Sequence, residues 1–401
     1  MATGWTGVRV MSMQADLRNP ELGYSDEGRS LTDASLYAEA CRPYGLASML
    51  PPVAYRSKVF LELENEKVWT RSWVSIGLLQ QIPRPGDLSP LTLGFHGIHV
   101  QRQADGTISA RMNRHQHGGC RFVPEQCRTG AQTKCSITSC NYTRDADVMP
   151  GGEGGENTDL MYKFVGLVPE RLAAVKCETW GPFIFINLDP ESGPLAEYLG
   201  DLPAVLGPEL SRCNALSGKQ WLDFQCNWKM LGRAFTGAGS PPPEWQADTG
   251  ETPSTYTMAE APFTAPETGD RIFWLFPNVL LAIGANQAAI VLLQATGMGK
   301  TLARCFFLAS APDGATASPQ RFAEFVALVK ATGVAAEDMH REQVQLGTSS
   351  RPGTSADDPP LEVNHCAHAL NRFLAHRLQL EHHYYWNAPI MDAAMTMRGS
   401  R

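Results

Sequence analysis

The chain has 401 residues, of which 43% are hydrophobic and 19% are charged, and its formal net charge at pH 7 is -7. A chain of this length can bury one large core or two smaller ones, so we expect a folded globular protein. An acidic balance provides no attraction to phosphate backbones or anionic lipid surfaces, which argues against a nucleic-acid or membrane partner.

The sequence predicts neither a targeting segment nor a membrane span. Its first residues, MATGWTGVRVMSMQADLRNP, lack the continuous apolar run of a secretory leader, and no later run approaches the roughly 20 apolar residues of a membrane span. Ten Cys residues spread over the chain are too dispersed for a disulfide scaffold. We therefore expect a cytoplasmic protein that does not associate with membranes.

The first predicted elements follow an irregular N-terminal segment, residues 1–49. The stretch PPVAYRSKVFLELENEKVWTRSW carries apolar residues at helical spacing and predicts a helix. Short β-like runs at 86–112 are joined by the turn signal Ala-Asp-Gly at 104–106 and predict an antiparallel hairpin. After a glycine-rich loop at 150–157, the text LVPERLAAVKCETWGPFIFINL predicts two more strands.

The second half of the chain predicts another β-rich body that is followed by helices. PLAEYLGDLPAVL predicts a helix, and RIFWLFPNVLLAIG, AAIVLLQAT and TLARCFFLAS predict three successive strands. PQRFAEFVALVKAT, AEDMHREQVQ and VNHCAHALNRFLAHRL predict the C-terminal helices. The Gly-Lys-Thr of QATGMGKT lies between two strands and lacks the upstream glycine of a phosphate-binding loop, so it indicates a hairpin turn.

These landmarks occur in an order that is typical of one family. The segments FLELENEKVWTRSWVSIG, IPRPGDL, VKCETWGPFIFINLDP, PLAEYLGDLP, CNWKML, FPNVLLAIG and EDMHREQVQLG resemble the α subunits of Rieske non-haem iron oxygenases, the aromatic-ring-hydroxylating dioxygenases. The resemblance implies an α+β fold, with a β-rich Rieske-like domain at 50–190 and an iron-domain-like unit at 191–401 in which helices cover an antiparallel sheet. It also implies hydroxylation or demethylation chemistry at a [2Fe–2S] cluster and a mononuclear iron.

The stretch 111–147, RMNRHQHGGCRFVPEQCRTGAQTKCSITSCNYTRDAD, matches the cluster motif only in part. The family motif is Cys-x-His followed at a distance by Cys-x-x-His, so that two thiolates bind one iron and two imidazoles the other. The matching positions are His115-x-His117 and Cys135-x-x-Thr138. Only His117 and Cys135 keep the ligand types of the family, so we expect no intact [2Fe–2S] cluster.

The same stretch contains a set of side chains that zinc prefers. His115, His117, Cys135 and Cys140 would offer two imidazoles and two thiolates to a tetrahedral ion. The spacing is not a usual zinc pattern, and partly buried thiols in two β loops are the alternative. We expect this domain to hold either no cofactor or a zinc ion.

The mononuclear iron site that the resemblance implies has lost its imidazoles. In the family, a helix after Asn-Trp-Lys carries two His ligands and a later helix supplies a carboxylate. The matching positions are Ser240 and Trp245, or Pro241 and Gln246 after a shift of one residue, and the carboxylate is Asp338. Three consecutive Pro residues predict that the helix breaks at Ser240. We expect no bound iron and no catalytic residue.

Other His residues are poor replacements for the missing ligands. The sequence has no His between His117 and His340. His340 lies two residues after Asp338 and therefore points to another side of the helix. His365 and His368 are three residues apart, so they share a helix face that could hold a metal. We favour instead polar groups on a solvated or subunit-facing helix.

Three hypotheses for function follow. The favoured one is a pseudoenzyme, a non-catalytic α-subunit homologue that acts as a structural or regulatory partner in a homo-oligomer or in a hetero-oligomer with an active paralogue. The second is an oxygenase-like enzyme with a rebuilt metal site. The third is a ligand-binding protein that uses the former substrate cavity.

Overall fold

The computed structural model of the chain describes residues 23–94, 96–112, 174–237, 239–242, 252–260, 271–284, 286–310, 319–346 and 363–382. Within these ranges the chain forms antiparallel sheets that are covered by helices, which is the α+β architecture predicted from the sequence. None of the described helices has the length and apolar character needed to cross a lipid bilayer.

The N-terminal segment packs into the folded body. The described part of it contains the strands β1 (Ser25–Asp26) and β2 (Arg29–Ser30) and a 3-10 turn at Ala34–Tyr37. Tyr24 and Leu31 are buried in the main hydrophobic cluster. Because these side chains leave water, residues 23–49 are anchored to the folded body, although most of them lie in turns and bends.

The predicted helix near residue 60 is present in three parts. They are α1 (Val53–Arg56), α2 (Lys58–Glu64) and a π-helical turn at Asn65–Trp69. Ser57 separates α1 from α2 and caps α2, because its hydroxyl accepts a hydrogen bond from the Phe60 amide at 3.1 Å.

The first six-stranded sheet is antiparallel. Its strands follow the spatial order β3-β8-β7-β6-β5-β4. The predicted hairpin turn joins β5 to β6, where Gly106 has a positive φ of 85° that favours glycine. The strands are β3 (Val74–Leu78), β4 (Leu88–Leu93), β5 (His96–Arg102), β6 (Ile108–Met112), β7 (Ala174–Trp180) and β8 (Phe183–Asn187).

Two short helices follow the first sheet where the sequence predicted one. They are α3 (Leu195–Leu199) and α4 (Leu202–Arg212). Gly200 between them has a φ of 56°, a conformation that ends a right-handed helix.

The second six-stranded sheet is also antiparallel, in the order β10-β11-β12-β13-β14-β9. The text RIFWLFPNVLLAIG forms a hairpin rather than a single strand, because Pro277 has no amide proton to donate inside a central strand. The turn between β13 and β14 lies at the predicted Gly-Lys position, where Gly297 pairs with Lys300. The strands are β9 (Cys213–Phe224), β10 (Tyr256–Glu260), β11 (Arg271–Leu275), β12 (Val279–Ile283), β13 (Gln287–Gly297) and β14 (Lys300–Ser310).

Three helices lie against the second sheet: α5 (Trp228–Thr236), α6 (Pro319–Gln345) and α7 (His365–Gln379). The two helices predicted at 319–345 form one continuous helix, α6. The close approach of α5 and α6 to the second sheet depends on two glycines. A Cβ on Gly232 would lie 2.1 Å from the Trp274 ring, and a Cβ on Gly333 would lie 1.9 Å from Phe224.

The two sheets meet at a polar junction. The Asn278 side chain pairs with the backbone of the edge strand β3 as a neighbouring strand would. Its Oδ1 accepts a hydrogen bond from the Ser75 amide at 3.0 Å, and its Nδ2 donates to the Ser75 carbonyl at 2.7 Å. Gln294 donates to the Thr92 carbonyl of the other edge strand, β4, at 3.0 Å. Arg304 donates to the Ile76 carbonyl at 3.1 Å, where a β-bulge interrupts the β3–β8 pairing.

Candidate functional site

The helix that the sequence singles out as the former iron-ligand helix is α5, which begins at the Asn-Trp-Lys landmark. Asn227 caps it, since its Oδ1 accepts from the Lys229 amide at 3.1 Å. The Asn227 Nδ2 donates to the Met298 carbonyl in the β13–β14 turn at 2.8 Å. One side chain therefore fixes both the start of α5 and its position against the second sheet.

The Lys229 side chain enters the protein interior and forms an ion pair with Glu64 of α2. Nζ lies 2.7 Å from Oε1, and the two side chains are 2% and 1% exposed. The ammonium also lies 5.1 Å from the centre of the Tyr55 ring and 5.4 Å from that of Phe60. Burial lowers the pKa of Lys229 and raises that of Glu64, while their mutual attraction opposes both shifts.

A second buried ionic group lies in the same region. The Arg71 guanidinium donates to Glu66 at 3.0 Å and to Asp189 at 3.2 Å, and the side chains of Arg71 and Glu66 are fully buried. Neither ionic group was predicted from the sequence. The available signal was the presence of charged residues inside the apolar landmarks FLELENEKVWTRSW and CNWKML.

Helix α5 ends at Thr236, before the positions that correspond to iron ligands. Ser240 is exposed and forms an isolated antiparallel bridge with Glu260, with N–O distances of 3.0 Å and 2.9 Å. Position 240 thus belongs to extended backbone rather than to a helix that could point a ligand inward. Trp245 and Gln246 lie outside the described residues.

Asp338, the counterpart of the family's carboxylate ligand, lies on the exposed face of α6. Its side chain is 56% exposed and forms an ion pair with Arg341, one turn farther along the helix. The neighbouring Glu337 accepts a hydrogen bond from the Gln225 amide at 2.7 Å. His340 is buried on the opposite side of the helix, and burial lowers its pKa.

The donor set at these positions does not fit a mononuclear iron. Such an iron needs imidazoles and a carboxylate that converge on one point. Ser240 offers an exposed hydroxyl, and Asp338 is directed to solvent and to Arg341. Among the described residues, no three His, Cys, Asp or Glu side chains converge on a point where they could share a metal ion.

The C-terminal His pair occupies a different environment from the one we predicted. His365 and His368 are buried, and their Nε2 atoms donate to the carbonyl oxygens of Met258 at 2.9 Å and of Arg42 at 2.7 Å. The prediction of a solvated or subunit-facing helix was wrong for these two side chains, because α7 lies between β10 and the N-terminal segment of the same chain. Their hydrogen bonds to backbone carbonyls give both rings a structural role.

The residues of the cluster motif cannot be placed in this arrangement. His115, His117, Cys135, Thr138 and Cys140 all lie outside the described residues. The expectation of a degenerate cluster motif and the alternative of a zinc ion at these residues remain predictions from the sequence.

Comparison of the sequence with known proteins finds α subunits of oxygenases. The chain is 28% identical over 222 residues to the N,N-dimethyl phenylurea N-demethylase subunit alpha of Sphingobium sp. (strain YBL2), covering 53% of the chain and 47% of that protein. It is 30% identical over 195 residues to the biphenyl 2,3-dioxygenase subunit alpha of Rhodococcus jostii (strain RHA1), covering 46% and 40%. The chain thus spans less than half the length of these relatives, and no family model matches it.

Comparison of the fold finds solved structures of the same kind. The quaternary ammonium Rieske monooxygenase CntA with bound gamma-butyrobetaine matches at a TM-score of 0.59 and 16% identity, covering 87% of this chain and 99% of that one. Naphthalene 1,2-dioxygenase with bound indole matches at 0.56 and 16%, covering 93% and 99%. In sequence and in fold, the chain is related to the α subunits of Rieske oxygenases.

Proposed function

We propose that this chain is a non-catalytic homologue of Rieske oxygenase α subunits that acts as a structural or regulatory partner in an oligomer. The oligomer contains either copies of this chain or this chain together with an active α subunit. The proposal keeps the cytoplasmic location that the sequence predicts.

The observation that carries this proposal is the state of the iron-ligand positions. Helix α5 ends at Thr236, Ser240 lies in a β-bridge, and the Asp338 carboxylate points to solvent. The sequence offers no His between His117 and His340 that could replace the lost ligands. Loss of the ligands coincides with loss of the helix that should present them, which favours a lineage that no longer binds iron there.

The scaffold around these positions is intact, and this supports a role in assembly. Among the described residues two six-stranded sheets are formed, and the hydrophobic core contains residues from both of them. The curated relatives are named as subunits, and a CntA structure is described as giving insight into inter-subunit electron transfer. A chain with this scaffold but without iron ligands could complete such an oligomer without performing the chemistry.

The proposal extends to the metal content of the first domain. If the purified protein contains a metal, we expect zinc bound by His115, His117, Cys135 and Cys140, because imidazole and thiolate ligands favour zinc. Binding requires deprotonated ligands and stabilises the folded state by mass action. Elemental analysis of the wild type and of a His115→Ala, Cys135→Ala variant measures this directly.

The experiment that tests the proposal is co-expression with an intact α-subunit paralogue from the same genome. We expect light scattering to show an oligomer, and we expect the activity of the co-purified paralogue to differ from that of the paralogue alone. A strict monomer that neither binds the paralogue nor alters its activity would contradict the partner role. It would favour the ligand-binding alternative.

A further inference from the structure

Helix α6 has one face packed on the protein and one face directed to water. It packs against α5, β9 and α1. Its buried side chains repeat every three or four residues, so they lie on one face of the helix. They include Phe325, Val329, Gly333, Ala336 and His340. The positions between them form the exposed face.

The middle of the exposed face is apolar. From residue 325 to residue 336, Lys330 is the one charged residue, whereas a helix face that stays in water normally carries charged or polar side chains. Val334 is 60% exposed and Leu328 is 37% exposed. An exposed valine gains nothing from burial and is a weaker helix former than alanine, so a single copy of the chain does not explain it. The other exposed apolar residues of this stretch are Ala327, Ala331 and Ala335.

We propose that this face binds the same face of a second copy of the chain, as an antiparallel helix pair with two-fold symmetry. In the register that we infer, Ala331 of each copy faces Val334 of the other. Gln320 then faces Gln345 of the second copy, so the contact runs along nearly the whole helix. This inference rests on the proposed oligomer and names a second copy as the partner at one of its surfaces.

The charges of α6 fit this register. Every charged residue of the helix except Asp338 meets an opposite charge of the second copy, and by symmetry each pair is formed twice. Asp338 faces Ala327 of the second copy and keeps its ion pair with Arg341 in its own helix. A two-fold contact requires a surface that complements itself in this way. The pairs are Arg321 with Glu342, Glu324 with Arg341, and Lys330 with Glu337.

The neighbouring antiparallel registers lack this complementarity. Sliding the second copy by one heptad in one direction removes all three kinds of pair and places Lys330 opposite Lys330 of the second copy. Sliding it the other way also removes them and places Glu337 opposite Glu337. Like charges at such positions oppose association, whereas complementary charges fix the register.

The first test is analytical ultracentrifugation of the full-length chain alone, over a hundredfold range of protein concentration. We expect reversible association into an even number of copies, which high salt weakens because exposed ion pairs are screened. A monomer at every concentration overturns this inference, while binding to the paralogue still decides the proposed function. A trimer also overturns this interface but leaves the proposed oligomer standing.

Charge reversal tests the pairing between copies. Arg321→Glu and Glu342→Arg should each raise the dissociation constant by about tenfold, because each replaces two attractive pairs with two repulsive ones. The double variant should associate as tightly as the wild type, since the reversed charges meet again across the interface. The two positions lie about 30 Å apart along one helix, so they cannot compensate within one copy.

The matched control for charge reversal is Glu191→Arg, which reverses an exposed carboxylate outside α6 and should leave the association unchanged. Single variants of α6 that associate as tightly as the wild type overturn the interface. A double variant that associates no more tightly than the single variants overturns it as well.

Disulfide cross-linking tests the register independently of affinity. After mild oxidation, the variant Ala331→Cys, Val334→Cys should form a covalent dimer above the wild-type background, because these positions face each other across the two-fold axis. The variant Ala323→Cys, Ala327→Cys is the matched control, since it places two exposed thiols on the same face where neither meets the other. No covalent dimer from the first variant, or equal yields from both, overturns the register.

Discussion

At the scale of single residues, the interior holds charged groups whose partners are specific. Lys229 pairs with Glu64, and Arg71 pairs with Glu66 and Asp189, in places from which water is largely excluded. Removing a charge from water costs several kcal/mol, which a well-placed partner can offset. The net contribution of such a pair to the free energy of unfolding is therefore smaller than the loss of stability caused by removing one of its two partners.

The Lys229–Glu64 pair gives a direct test of this asymmetry. We expect Lys229→Met to destabilise the protein by about 3–5 kcal/mol, because it leaves the Glu64 carboxylate buried without its partner. The double variant Glu64→Leu, Lys229→Met should recover most of that loss, since no charge then remains in the core. Urea denaturation is measured for the wild type, for Lys229→Met, for Glu64→Leu and for the double variant. Strictly additive effects of the two substitutions would show that the pair is not coupled.

The buried imidazole of His99 predicts a dependence of stability on pH. Burial, and to a lesser extent the Arg111 charge, lowers the pKa of His99 to about 4 in the folded protein. The unfolded chain should titrate near 6.5, so it binds more protons than the folded chain between these values. The stabilisation is complete above about pH 6.5 and is lost as the pH falls towards 4, by up to about 3 kcal/mol.

The measurement for His99 compares wild type with His99→Gln. The free energy of unfolding of each is obtained from denaturation at several pH values between 4 and 7. The variant should lose less stability on acidification, and the difference between the two curves isolates His99 from other buried His residues. Parallel curves for the two proteins would contradict the assignment.

At the scale of secondary-structure elements, the packing of α5 against the second sheet depends on a glycine. Gly232 faces the buried Trp274 ring, which is held by a hydrogen bond from its Nε1 to the Pro277 carbonyl at 3.1 Å and by an edge contact with Phe276. Within a helix, alanine is favoured over glycine by about 1 kcal/mol. The ring cannot move away easily, so packing opposes this preference.

We therefore expect Gly232→Ala to destabilise the protein by about 1–3 kcal/mol in spite of the gain in helix propensity. Ala234→Gly, two residues farther along the same helix, is the matched control and should cost about 1 kcal/mol through propensity alone. Thermal denaturation, monitored by circular dichroism, measures the stability of both variants. A Gly232→Ala protein as stable as the wild type would mean that α5 does not pack on Trp274 as described.

Much of the element order was predictable from the sequence, because the apolar periodicity of a strand or helix is local. The hairpin at 104–106 and the strands β7, β8, β13 and β14 formed where their patterns indicated. The hairpin of β11 and β12 was predicted as one strand, since a continuous apolar run conceals a turn at Pro277. The burial of His365 and His368 was missed because it depends on contacts with distant segments.

In the candidate site, too, features that depend on local sequence were predictable, and contacts between residues far apart in the chain were not. The end of the helix before Ser240 could be predicted from the sequence, because it depends on three consecutive prolines. The loss of iron ligands at this position remains a prediction from residue identity. The Glu64–Lys229 pair could not be predicted, since its partners lie 165 positions apart in the chain. Only the fold shows which of the many charged residues meet in the interior.

At the scale of the whole molecule, the chain has the fold of Rieske oxygenase α subunits, while Ser240 and Asp338, the two proposed iron-ligand positions in the described part of the chain, are both exposed. The two sheets are joined by Asn278, Gln294 and Arg304, and helices α5, α6 and α7 cover the second sheet. Such a framework, together with the loss of metal ligands that we propose, is consistent with a role in assembly. The central claim is therefore that this chain has no catalytic metal centre of its own.

The most direct test of this claim is the metal and acid-labile sulfide content of the full-length protein, purified without oxygen and then reconstituted with iron and sulfide. We predict iron and sulfide far below one equivalent per chain and no visible absorption of a [2Fe–2S] cluster, with zinc as the one metal that could be retained. Near-stoichiometric iron and sulfide that are lost in a Cys135→Ala variant would contradict the account. Tightly bound iron that is lost in Asp338→Ala would contradict it as well, and would make the chain an enzyme with a rebuilt metal site.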